Sequence, residues 1–243
     1  MRLYSATLIA LMIVGCDKPP TLEQGMYFYT QGQRSPAVST LKPYADEGDH
    51  RAQLILGMAY LQEDFKDYAK SAHYFKLAAD QGDVDAMYFL GKAYLDGEGV
   101  PQNTLIGESY LTKVANAGSV FALLALGKRY EKSSQESGSK EQAIQALKFF
   151  EEAFLLGNNS APVLISSIYA HGPLSDKYLY AVWNGIFQLT KTSQKTADAY
   201  QFFPAEQREK AMMDSYALYS KFSTKKPPKS FLDEIGKYRK PAT

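Results

Sequence analysis

Internal repetition constrains this chain more than any other feature. Laid over itself, the middle of the sequence brings out the pattern Gly-x-x-x-Ala-x-x-x-Leu-Gly-x-x-Tyr in three registers. They are Gly48, Ala52, Leu56, Gly57, Tyr60; Gly82, Ala86, Leu90, Gly91, Tyr94; and Gly118, Ala122, Leu126, Gly127, Tyr130. A fourth register, Gly157, Ala161, Ile165, Ser166, Tyr169, keeps the spacing with two substitutions. The alanines are 34, 36 and 39 residues apart. A period of that size belongs to stacked helix-turn-helix units rather than to a single enzyme core.

Offsets of four, five and eight place the alanine, the Leu-Gly pair and the tyrosine on one helix face. There the small residues admit a second helix and the tyrosine fills the wedge between neighbours. The second helix is marked by counting back from each closing glycine. Small residues stand eleven positions earlier (Ala37, Ser71, Gly107, Ala146), and an aromatic stands eight earlier in three units (Tyr74, Tyr110, Phe149). Alanine falls three or four earlier in every unit, as Ala45, Ala78 with Ala79, Ala115 and Ala153. The closing glycine sits where a helix ends and a left-handed backbone is favoured.

At these residues the chain resembles the Sel-one-like repeat, a relative of the tetratricopeptide repeat. The segment 94–103, Tyr-Leu-Asp-Gly-Glu-Gly-Val-Pro-Gln-Asn, carries the family loop Y-x-x-G-x-G-V-x-x-D, with Asn103 in place of the aspartate. The first unit has a shorter loop over 62–67, and the third carries a polar insertion over 132–140 instead of the glycines. The resemblance covers about residues 37–169. Together with the period, it implies an all-α, right-handed superhelical solenoid of helix-turn-helix repeats with a helical C-terminal cap.

The flanks are less regular. Leu22, Met26 and Tyr29 at helical spacing predict the first helix of a degenerate unit over 21–33, whose second helix starts near Ser35 and Pro36. Beyond Tyr169, His171-Gly172-Pro173 interrupts the pattern. Helices are then expected over 175–190 and 204–221, the latter with Ala211, Met212, Tyr216 and Tyr219 along one stripe. They cap the apolar end that a solenoid otherwise exposes. The segment 225–229, Lys-Lys-Pro-Pro-Lys, reads as a loop before a short helix over 231–238, which either joins the cap or crosses the concave face. The expected organisation is 1–15, 16–21, 22–172 and 173–243: leader, tether, repeats, and cap with tail.

The first sixteen residues hold one positive charge, an apolar run from Leu8 to Val14, and a small residue before Cys16. This reads as a signal peptide, since seven apolar residues fall well short of the roughly 20 that a spanning helix needs. Ile13-Val14-Gly15-Cys16 resembles the bacterial lipoprotein box. That resemblance implies acylation of Cys16, with 17–21 as a short tether and the folded part facing the periplasm. Asp17 followed by Lys18 is compatible with either the inner or the outer membrane. Cys16 is the chain's only cysteine, so an intramolecular disulfide, a cysteine-rich zinc site and a redox thiol pair are excluded.

Lys and Arg total 27 against 26 Asp and Glu, which argues against a charge-driven nucleic-acid binder. His50, His73 and His171 lie one per segment without metal-ligand spacing, so neither a metal nor a cofactor is expected. The sequence has no nucleophile elbow, phosphate loop or dinucleotide fingerprint. Acidic pairs such as Glu151-Glu152 and Asp233-Glu234 are adjacent rather than facing. The chain is therefore read as a non-enzyme.

What remains is surface. The tetratricopeptide relation implies that first helices line a concave wall. It points Arg51, Leu54, Met58 and Leu61; Asp85, Tyr88, Lys92 and Leu95; and Phe121, Leu124, Lys128 and Glu131 into the groove. Apolar anchors among alternating charges suit capture of a protein. The alternative for the leucines, Leu54, Leu61 and Leu124 above all, is burial against neighbouring helices, and Trp183 reads as cap packing. Short lipoproteins with similar repeats include immunity proteins against phospholipase toxins delivered by type VI secretion, and the resemblance implies that role first. A structural adaptor in an envelope assembly such as exopolysaccharide secretion is the alternative.

Overall fold

The computed structural model describes residues 20–190 and 204–222. The helices are α1 Leu22–Thr30, α2 Arg34–Asp46, α3 His50–Ala59, α4 Tyr68–Asp80, α5 Val84–Asp96 and α6 Thr104–Asn116. They continue with α7 Val120–Ser137, α8 Lys140–Leu155, α9 Ala161–Ala170, α10 Lys177–Thr190 and α11 Ala205–Phe222. Among the described residues there are no strands, so the fold is all-helical and built of helix-turn-helix repeats. The chain divides into a unit ending at Gly107 and a unit beginning at Glu108, so α6 begins in one and ends in the other.

Each repeat turns sharply into the next because one glycine closes a helix and the following residue opens another. Gly82 has φ +91°, and a Cβ there would meet nothing within 4 Å, so backbone conformation alone requires glycine. Its N–H donates to the Ala79 carbonyl, and the Asp83 N–H donates to the Ala78 carbonyl. Asp83 then caps α5 by accepting from the Ala86 N–H at 2.9 Å. Gly48-Asp49 and Gly118-Ser119 repeat both halves of this device.

The two helices of a repeat approach each other through small residues. A Cβ on Gly57 would stand 2.6 Å from the Phe75 ring, and one on Gly25 would stand 2.6 Å from Leu41. A Cβ on Gly127 would enter the Phe150 ring in the same way. Buried Ser71 donates its hydroxyl to the Gly57 carbonyl at 2.8 Å. Leu41, Phe75, Leu111 and Phe150 all stand seven residues before a closing glycine and are essentially inaccessible. Burying such a side chain stabilises the fold by about 1.5–3 kcal/mol. This position carries the core, and the sequence pattern, which follows the small and aromatic positions around it, passes over it.

A second recurring link joins the ends of four first helices to the starts of their partners, with α7, which continues to Ser137, as the exception. The carbonyls of Tyr60, Tyr94 and Tyr169 accept from the N–H groups of Asp67, Asn103 and Asp176 at 2.8–2.9 Å. Phe28 and Gln33 do the same between α1 and α2. Gly25 and Phe28 therefore hold the repeat register that the degenerate first unit no longer spells out. The loop glycines behave as the family pattern implies: Gly97 ends α5 in the left-handed region, and Gly99 passes against the Tyr68 carbonyl.

The polar segment 132–140 is mostly helix rather than loop. It extends α7 to Ser137, where Gly138 at φ +70° ends it and Ser139 caps α8. Helix α10 packs against α9 as a second helix of a pair, so pairing continues beyond the break at 171–173. Trp183 is buried on α10 and meets Phe154 edge-on with ring centroids 6.0 Å apart. On α11, Ala211, Met212 and Tyr219 are buried as the stripe predicts. The side chain of Tyr216 lies outside the described residues, as do Cys16 with its leader and the segments at 225–229 and 231–238.

Candidate protein-binding surface

In the first unit, Arg51, Leu54 and Met58 lie along α3, and Asp85, Tyr88 and Lys92 along α5. The beginnings of these helices are tied by His50 Nδ1 and Asp83 Oδ2 at 2.9 Å. Arg51, Asp85 and Lys92 are exposed, whereas Leu54, Met58, Leu61, Tyr88 and Leu95 are half-buried. Half-burial fits anchors that brace the wall and still present an apolar edge. Tyr88 stands edge-on to Phe89, and Phe89 stacks on Phe75, so the exposed layer rests directly on the core.

Arg51 is held in place. Its guanidinium donates to Asp49 Oδ2 at 2.9 Å, while Oδ1 of the same carboxylate accepts the N–H groups of Arg51 and Ala52. Burial, the largest influence on Asp49, works to raise its pKa. The hydrogen bonds from Arg51 and Ala52 and the guanidinium charge outweigh it and hold the carboxyl below the usual range. Glu23 adds negative charge near Arg51.

In the second unit the predicted residues lie along α7. Phe121 is 72% exposed, Lys128 is exposed, and Leu124 and Glu131 are half-buried. Glu131 is not free, because Ser167 Oγ donates to its carboxylate at 2.6 Å and so joins α7 to α9. The neighbouring Arg129 pairs with Glu108 at 2.8 Å across to α6. Sequence reasoning missed Val163, 37% exposed at the same place in its repeat as Leu54, Tyr88 and Leu124. The signal was available in the fourth register, six residues after Gly157.

His50, His73 and His171 are all exposed. Among the described residues, no three His, Cys, Asp or Glu side chains gather as metal ligands, and no helix is long and apolar enough to cross a membrane.

Paired helices closed by glycine turns, with a polar and apolar outer layer on the first helices, define a helical-repeat protein. More particularly, residues 50–83, 84–119 and 120–158 each match the Sel1 repeat model. A Sel1 repeat protein from Oxalobacter formigenes has a similar crystal structure, with TM-score 0.59 and 18% identity over 89% of this chain and 98% of that one. This likeness is one of fold. A protective antigen of uropathogenic Escherichia coli with an SLR fold is similar at TM-score 0.45 and 20% identity, over 89% of this chain and 59% of that chain. No curated protein matches the chain in sequence.

Proposed function

We propose that this is a lipid-anchored bacterial envelope protein, facing the periplasm, that binds another protein with its first-helix surfaces. Its partner is a phospholipase toxin delivered by type VI secretion, which it neutralises by occlusion. The observation that carries the binding reading is Phe121, a large aromatic 72% exposed on a well-capped helix, one turn before Leu124 and two before exposed Lys128. Exposed aromatics beside unengaged charge are what interface hot spots are made of. Acyl chains on Cys16, at about 0.8 kcal/mol per buried methylene, would hold the inhibitor beside the membrane that the toxin attacks and raise its local concentration.

Three measurements test this reading in turn. Labelled palmitate should enter the wild-type protein and not Cys16→Ser; equal labelling removes the anchor. Deleting the gene should sensitise cells to the cognate toxin, and unaltered survival removes the immunity role. Lys92→Glu combined with Lys128→Glu should weaken capture of the purified toxin about tenfold or more if these surfaces meet it. Unchanged affinity moves the interface elsewhere.

A further inference from the structure

Helix α1 opens the first unit, and its two sides differ. Leu22 and Gly25 are buried and Met26 and Tyr29 pack against the core, whereas Glu23, Gln24, Tyr27 and Gln31 are exposed on the other side. A terminal repeat keeps its outer face polar for solubility. Tyr27 departs from that rule. It is 60% exposed in the middle of the face, the one large apolar side chain so exposed on α1 or α2, and its ring is backed by half-buried Phe28 with centroids 6.4 Å apart.

The point where the chain enters the fold lies at the start of the same helix. Tyr44 of α2 donates its hydroxyl to the Pro20 carbonyl at 3.0 Å, and Thr21 and Gln24 close the first turn of α1 as a capping box. Cys16 stands four residues before Pro20. Four residues span at most about 14 Å in any conformation, and the seven from Pro20 to Tyr27 advance about 10 Å along a helix. An acyl chain on Cys16 therefore keeps α1 within reach of the lipid headgroups.

We propose that the outer face of α1, with Tyr27 at its centre, lies against the lipid surface that carries the Cys16 anchor. This rests on the lipid-anchor reading above and goes beyond it by naming the surface that meets the bilayer. A tyrosine ring suits the headgroup layer, because its body is apolar and its hydroxyl stays hydrated. Charge does not supply the contact: Glu23 lies near Arg51, and Lys42 on α2 is paired with Asp46 at 2.6 Å. Reach and the ring do. Helix α3 packs on α1, and α5 is tied to α3 through His50 and Asp83, so in the first unit each first helix stands one helix spacing, roughly 8–10 Å, farther from lipid. Asp85, Tyr88 and Lys92 on α5 are thereby held clear of the bilayer for a partner.

The test uses the full chain, its palmitate content measured, reconstituted in vesicles of phosphatidylcholine brominated on the acyl chains. Buried Trp183 gives a constant background. The emission added by Tyr27→Trp should fall by about half or more relative to unbrominated vesicles, whereas that added by Leu105→Trp, 79% exposed on α6, should not change. Both positions already reach solvent, so melting temperatures should match the wild type. An unquenched Tyr27→Trp in a palmitate-bearing chain overturns the proposal and leaves the anchor standing. Equal quenching at Leu105→Trp overturns it as well, since no one face would then meet lipid. Tyr27→Trp shielded from iodide yet untouched by bromine puts protein on this face, a second copy or another partner, and overturns it. Equal quenching of Tyr27→Trp combined with Cys16→Ser removes the tether from the account with the same result. A wild type without palmitate removes the anchor reading itself and this proposal with it.

Discussion

Gly57 and Phe75, eighteen residues apart, compete for one volume: the ring lies where a side chain at position 57 would have to go. Gly57→Ala should therefore destabilise the protein by overpacking, at about 1–3 kcal/mol in urea unfolding. Gly57→Ala with Phe75→Leu should recover part of that loss by giving the new methyl room. A neutral Gly57→Ala would mean that the helices can separate at no cost and that close approach is not what glycine supplies here.

Asp83 works at both ends of a repeat, capping α5 through the Ala86 N–H and meeting His50 on α3. Asp83→Ala should cost about 0.5–2 kcal/mol, the range for losing a side-chain cap. Asp83→Asn should retain most of the stability, because the amide oxygen still accepts from the helix. Chemical denaturation of the two variants separates capping from the pairing with histidine. Equal losses would assign the effect to charge.

The carboxyls of Asp49 and Asp67 should make stability depend on acid. For Asp67 the Lys70 backbone N–H is the main cause of its lowered pKa, followed by the Lys70 ammonium; for Asp49, hydrogen bonding prevails over burial. A carboxyl whose pKa is lower in the folded state stabilises that state above the unfolded value near 3.8, and the contribution fades as pH falls through the folded value. Melting temperatures of wild type and Asp49→Asn should differ most near neutrality and converge on acidification. A gap that is constant with pH would show that the ionised form carries no advantage.

Much of the architecture can be read from spacing. The Gly48, Gly82, Gly118 and Gly157 turns and the Asp49, Asp83 and Ser119 caps involve neighbours a few residues away, so residue type and position suffice to place them. The key position seven residues before each closing glycine is less legible, because leucine and phenylalanine alternate there and share only burial, not identity. The insertion at 132–140 is ambiguous for a related reason: a polar run signals exposure, and an exposed helix is as polar as an exposed loop. The repeat register that Ala211, Ser215 and Tyr219 keep in α11 is hidden because serine stands at 215, where three repeats have leucine, and no closing glycine precedes it.

The binding surface divides in the same way. Helical periodicity alone places Phe121, Leu124, Lys128 and Glu131 on one face of α7, since that follows from 3.6 residues per turn. Whether each is available to a partner depends on residues from other helices. Glu131 is engaged by Ser167, thirty-six positions away, while Phe121 is left open and Leu124 is half covered. Periodicity belongs to the local backbone and is written in every turn of the chain. Exposure and engagement arise from packing between distant segments, and they exist only once the helices have come together.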